Sequence, residues 1–221
     1  MATITTPKRY QPTVLYPTEL STFIQYILDH HTPPTNLIIC SSQDMFLAQL
    51  QASISHSKDI EPSRKHDLLI PTIHQLANSR TINVTFCATL AQLQAYLGVY
   101  GMNKSAVSPA EPRKGVFNSG PPTLALLNPL QLHKETSSFS AQGLSRTFAS
   151  AIEAASRSNQ KLLIMECPSR VTPDANPWDQ EIAILNVTTK SFGAGERGWV
   201  GRTVKVKDVV GRWCTFERLD V

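Results

Sequence analysis

Residues Thr123 to Pro168 constrain the fold more than any other part of the chain. An apolar run from Thr123 to Leu127 and a second from Lys161 to Cys167 flank a segment whose apolar residues, Leu144, Phe148, Ala151, Ile152 and Ala155, fall at helical spacing. A strand, a helix and a strand joined by a crossover of this length make parallel neighbours in one sheet. Ser140, just ahead of the helical pattern and three residues before Gly143, is the expected N-cap.

The rest of the 221-residue chain extends this unit into one α/β domain rather than adding a second. Residues 1–16 carry Pro7 and Pro12 with little periodicity and read as an extended N-terminal arm, with a single domain over 17–221. Leu20, Phe23, Ile24, Ile27 and Leu28 give a first helix ended by Pro33 and Pro34. Leu37 to Cys40 is a strand leading through Ser41 and Ser42 into a helix over Met45, Phe46, Leu50 and Ile54, followed by a polar loop over 56–65. A helix over 68–76, a strand over 82–86 and a helix over 89–97 come next. Residues 99–121, rich in proline and glycine, read as a disordered insertion. After Pro168 the chain gives strands over 181–189, 204–210 and 212–219 with no helix between them, so an antiparallel extension of the sheet is expected there.

Several chemistries find no support in the pattern. The four cysteines lie far apart and form no CxxC or Cys/His pair at ligand spacing, so they read as buried thiols and no metal site is expected. Neither a leader-like opening nor an apolar run of about 18 residues is present, and a nuclear or cytoplasmic setting is the expectation. Ser140, His133 and either Asp174 or Glu166 supply the residue types of a hydrolytic triad, but no G-x-S-x-G turn holds the serine exposed. The turn Ser41-Ser42-Gln43-Asp44 has neither the glycines nor the lysine of a phosphate loop, and its aspartate repels phosphate. Gly193, Gly195 and Gly198 imitate a dinucleotide fingerprint but open no helix.

Charge offers one positive lead. The formal net charge is only +4, yet from Asn186 onward seven basic residues face four acidic ones. Lys190, Arg197, Arg202, Lys205, Lys207 and Arg212 are therefore the candidate nucleic-acid-binding residues, with Lys205 and Lys207 on one face of a strand beside a glycine-rich turn. Lysines on a solvated edge strand, which oppose sheet-to-sheet aggregation, are the alternative account of the same residues.

The run Ser140-Ala-Gln-Gly-Leu-Ser-Arg-Thr-Phe-Ala-Ser-Ala, between a strand ending at Leu127-Asn128 and the strand over 161–167, resembles the core of RecA-type recombinase domains. Trp178, Arg197, Arg202 and the closing Trp213-Cys-Thr-Phe216 resemble the ending of such domains in order and spacing. The resemblance implies a RecA-like three-layer α/β sandwich with a mainly parallel central sheet. It also places Ser41 to Asp44 at the Walker A position and Asn128 where Walker B carries its metal-holding acid. Those departures imply no ATPase activity and no nucleotide or metal cofactor. A non-catalytic subunit is then expected, similar to the recombinase paralogues of the Shu complex, which act in homologous recombination and DNA repair, or to the accessory subunits of Elongator, which support tRNA wobble-uridine modification. Its partner would be another RecA-like chain in a hetero-oligomer, with DNA, or alternatively tRNA, as the polyanion. A third expectation, from another class, is an α/β enzyme whose site the sequence does not reveal.

Overall fold

The computed structural model describes residues 10–30, 34–60, 66–70, 72–102, 121–168, 175–185 and 202–219. Its centre is a six-stranded sheet built from β1 (Thr13–Leu15), β2 (Thr35–Ile39), β3 (Ile82–Phe86), β4 (Thr123–Leu127), β5 (Lys161–Met165) and β8 (Thr215–Glu217), in the order β3-β2-β4-β5-β1-β8. Every neighbouring pair in it is parallel. A separate antiparallel pair is formed by β6 (Glu181–Ala183) and β7 (Thr203–Lys205). The protein is thus an α/β fold with a parallel central sheet and a small antiparallel annex.

Helices cover both faces, which is why the central strands are apolar on both sides. On one face α1 (Leu20–His30) buries Leu20, Phe23 and Ile27 against Leu37, Ile39, Ala125, Leu127, Leu163 and Met165, with α2 (Gln43–Ile60) and α3 (Ile73–Ser79) beside it. On the other face α4 (Leu90–Val99) contributes Leu93 and Leu97, and α6 (Ala141–Arg157) contributes Leu144, Phe148, Ala151, Ala154 and Ala155. Phe148 and Leu144 are fully buried, as their spacing predicted. The cap is also in place: the Ser140 hydroxyl accepts the Gly143 N–H at 3.1 Å. Between β4 and α6 lies the short α5 (Pro129–Lys134).

Four expectations are corrected. Thr13–Leu15 is not part of an extended arm but an interior strand, bonded to β5 on one side and β8 on the other, with Val14 fully buried. Helix α2 continues through His56 to Ile60, where a polar loop was expected. The stretch over 204–210 is only briefly a strand: after Lys205 it becomes α7 (Val206–Val210), because Val206, Val209 and Val210 share a helical face that packs on α6. The closing strand joins the main sheet parallel to β1, so among the described residues antiparallel pairing is confined to β6 and β7. The 99–121 insertion falls, apart from its first four residues and its last, outside the described residues.

Candidate functional site at the carboxyl ends of the parallel strands

In an open parallel sheet, ligands bind beyond the carboxyl ends of the strands, where neighbouring strands send their chains to opposite faces. The chain leaves β2 towards α2 on one face, whereas the neighbouring β4 sends it to α6 on the other. At this end a cavity of about 540 Å3 opens, lined among others by Glu19, Ser53, Asn128, Gln131, Lys134 and Glu166.

Each wall has a structural cause. Asn128 follows the last residue of β4 in the left-handed conformation, φ 58° and ψ 41°, which asparagine tolerates better than most residues. Its N–H donates to the Met165 carbonyl at 2.8 Å, and its Oδ1 accepts the Cys167 N–H at 2.7 Å. It therefore ties the ends of β4 and β5 together. Glu166, the residue after β5, is only 3% exposed. Its carboxylate accepts the Leu130 N–H at the start of α5. Burial pushes this carboxyl up to about 8, although the N–H groups of Leu130 and Gln131 and the charge of Lys134 pull the other way. On the opposite wall Ser53 donates to Glu19 Oε2 at 3.0 Å and lies 2.9 Å from the Ser21 hydroxyl, which pins α2 to the start of α1.

The turn between β1 and α1, Tyr16-Pro17-Thr18-Glu19, reaches this cavity through Glu19, whereas Ser41 to Asp44 do not line it. Ser42 instead caps its own helix, its Oγ accepting the Met45 N–H at 3.3 Å. The β1–α1 turn is no better a phosphate cradle: it has no glycine, Pro17 offers no N–H, and Glu19 places a carboxylate on the wall. No glycine anywhere in the sequence is followed by lysine.

Other chemistry is equally sparse. The imagined triad does not assemble, because Ser140 is spent on its cap and His133 contacts the Ser138 carbonyl and the Thr147 hydroxyl, both at 3.1 Å. Burial lowers the His133 pKa, with the Ser138 carbonyl acting in the opposite sense. None of the four cysteines is disulfide-bonded, and burial raises the Cys40, Cys87 and Cys214 thiols, which suppresses their thiolates. Among the described residues no group of three His, Cys, Asp or Glu side chains could hold a metal ion. No helix among them is long and apolar enough to cross a membrane.

The basic candidates divide. Lys190 and Arg197 lie outside the described residues, whereas Arg202, Lys205, Lys207 and Arg212 are all exposed. Lys205 ends β7 and Lys207 lies in the first turn of α7, so they do not share a strand face. Lys207 is paired with Asp179 at 2.6 Å, which neutralises part of the patch. Sequence reasoning missed Glu19, Gln131 and Lys134. The signal available was their place just beyond apolar runs, at the start of a helix or within a short one.

No family model matches the chain, and no curated protein matches it. Among solved structures it is similar to that of a DnaB-like replicative helicase described with its interactions with primase, at 11% identity and a TM-score of 0.36. The match covers 74% of this chain and 40% of that one, so the chain spans less than half of the helicase. A likeness of that extent carries no inference about this protein.

Proposed function

We propose that the chain is a non-catalytic, RecA-like subunit of a hetero-oligomeric complex that supports homologous recombination and DNA repair in the nucleus or cytoplasm, contacting nucleic acid through its basic C-terminal turns. The observation that carries this reading is the cavity at the carboxyl ends of the strands, framed as in a nucleotide-binding α/β protein but walled by Glu19, Asn128 and Glu166. Phosphoryl transfer needs N–H donors, a cation and a metal to spread the developing charge. Among the described residues Lys134 is the one ammonium on these walls, which also carry the carboxyl groups of Glu19 and Glu166. The strand, Ser140-capped helix and strand that resemble a RecA-type core support the same reading, since β4 and β5 are adjacent and parallel.

Titration calorimetry with ATP and magnesium is expected to give no binding at micromolar nucleotide; a micromolar affinity would sink the non-catalytic reading. Changing Arg197, Arg202, Lys205 and Lys207 together to alanine is expected to weaken nucleic-acid binding without unfolding the chain. Unchanged, salt-dependent binding would place the contact elsewhere. Purification from the native cell separates the two biological settings. A second RecA-like chain together with a recombinase supports recombination, while a ring with two related subunits bound to tRNA moves the chain to an Elongator-type role.

A further inference from the structure

A second cleft opens at the same end of the sheet, beyond β1 and β8. It has a volume of about 410 Å3 and is lined by Tyr16, Thr18, Pro168, Asn176 and Arg218 among others, within the roughly 300–1,000 Å3 of small-ligand pockets. Tyr16 is 39% exposed although it directly follows a buried strand. The Arg218 guanidinium lies over its ring, 5.8 Å from the centroid. Below it the support is rigid: Phe216 packs on Tyr16 at 5.7 Å, Trp178 packs edge-on against Phe216 at 5.8 Å, and Trp178 Nε1 donates to the Leu15 carbonyl at 3.2 Å.

Among the described residues no carboxylate pairs with Arg218. Among those residues its N–H fork is therefore held over an aromatic ring without a paired anion, which is the form in which arginine takes phosphate. Two lysines and Asp179 lie nearby. Lys207 lies close enough to feel the Tyr16 phenol, and Lys205 close enough to influence Asp179. Asp179 is already occupied by Lys207 and by Asn176, whose Nδ2 donates to it at 3.0 Å.

We infer that this cleft binds single-stranded nucleic acid, with one backbone phosphate on the Arg218 guanidinium and an unstacked base against Tyr16 and Pro168. A carboxylate would need only the guanidinium, whereas the aromatic and proline walls suit the flat face of a base. The inference rests on the reading of the chain as a nucleic-acid-associated subunit and gives that reading a contact point that includes none of the six basic residues singled out from the sequence.

Fluorescence anisotropy with a labelled oligothymidylate, on the full chain, tests it. Arg218→Ala is expected to weaken binding about tenfold and to reduce the log-log salt slope by about one. Tyr16→Leu, which keeps apolar bulk at the end of β1, is expected to cost a similar factor with the salt slope unchanged. Arg80→Ala, an exposed arginine at the end of α3, should leave binding as it is, and melting curves confirm that each variant is folded. Equal competition by polyglutamate would overturn the inference in favour of simple anion attraction. Binding lost in the Arg202 and Lys205 variants but kept in Arg218→Ala and Tyr16→Leu would overturn the cleft and leave the subunit reading standing. No binding by the unaltered chain would overturn both.

Discussion

Asn128 and Glu166 hold the same cavity wall by different means, and each can be tested alone. Asn128 combines a left-handed backbone with a side-chain acceptor for the Cys167 N–H. Asn128→Ala loses both advantages and should destabilise by about 2 kcal/mol, while Asn128→Gly, which keeps the backbone freedom, should cost less; chemical denaturation separates the two. Glu166 is protonated more readily folded than unfolded, since burial has raised its carboxyl from the ordinary 4.5 to about 8. The folded state thus holds the extra proton between those values, and stability falls as pH rises through that window. The loss is bounded by about 5 kcal/mol, from roughly 1.4 kcal/mol per tenfold change. His133, lowered by burial, acts in the opposite sense below its ordinary 6.5, so the fall between pH 6.5 and 8 reports Glu166. In Glu166→Gln that fall should disappear from urea titrations; a pH dependence like that of the unaltered chain would count against the buried carboxyl. The sequence put Glu166 at the end of an apolar strand, but its burial under α5 depends on where that helix lands.

At the scale of elements, capping and close packing were legible and short strands were not. Ser140 and the spacing of α6 were readable because both signals are local. Ser140→Ala should cost about 1 kcal/mol. Gly143→Ala should cost more, about 3 kcal/mol, since an added Cβ would lie 2.0 Å from the Ser138 carbonyl oxygen; thermal melts of the two variants give the ranking. By contrast β1 is three residues between Pro12 and Pro17, too short to declare a period. It is a strand because β5 and β8 supply hydrogen bonds on both sides. Deleting residues through Leu15 should therefore abolish cooperative unfolding, not trim an arm. The valines over 204–210 misled for a related reason: Val204 and Val206 alternate like a strand, whereas Val206, Val209 and Val210 repeat like a helix. Packing of the second set on α6 selected the helix.

For the molecule as a whole, the proposed hetero-oligomer can be tested at an exposed apolar surface. Leu69, Ile70, Ile73 and Leu76 are each about half exposed or more, with Ile73 at 87%, around the start of α3. Produced alone, the chain should self-associate or precipitate, and a stable monomer at micromolar concentration in light scattering would count against a required partner. The amino-acid sequence by itself determined the parallel α/β unit around β4, α6 and β5, the caps, and the lack of a phosphate loop, because periodicity, capping and glycine content act within a few residues. Only the tertiary structure decided that β1 lies inside the sheet, that Glu19 of the β1–α1 turn rather than Ser41 to Asp44 lines the cavity, and that Tyr16 and Arg218, two hundred residues apart, share a cleft. Those outcomes follow from strand order, and strand order is set by which distant apolar faces bury one another, a sum over the whole chain that no local pattern contains.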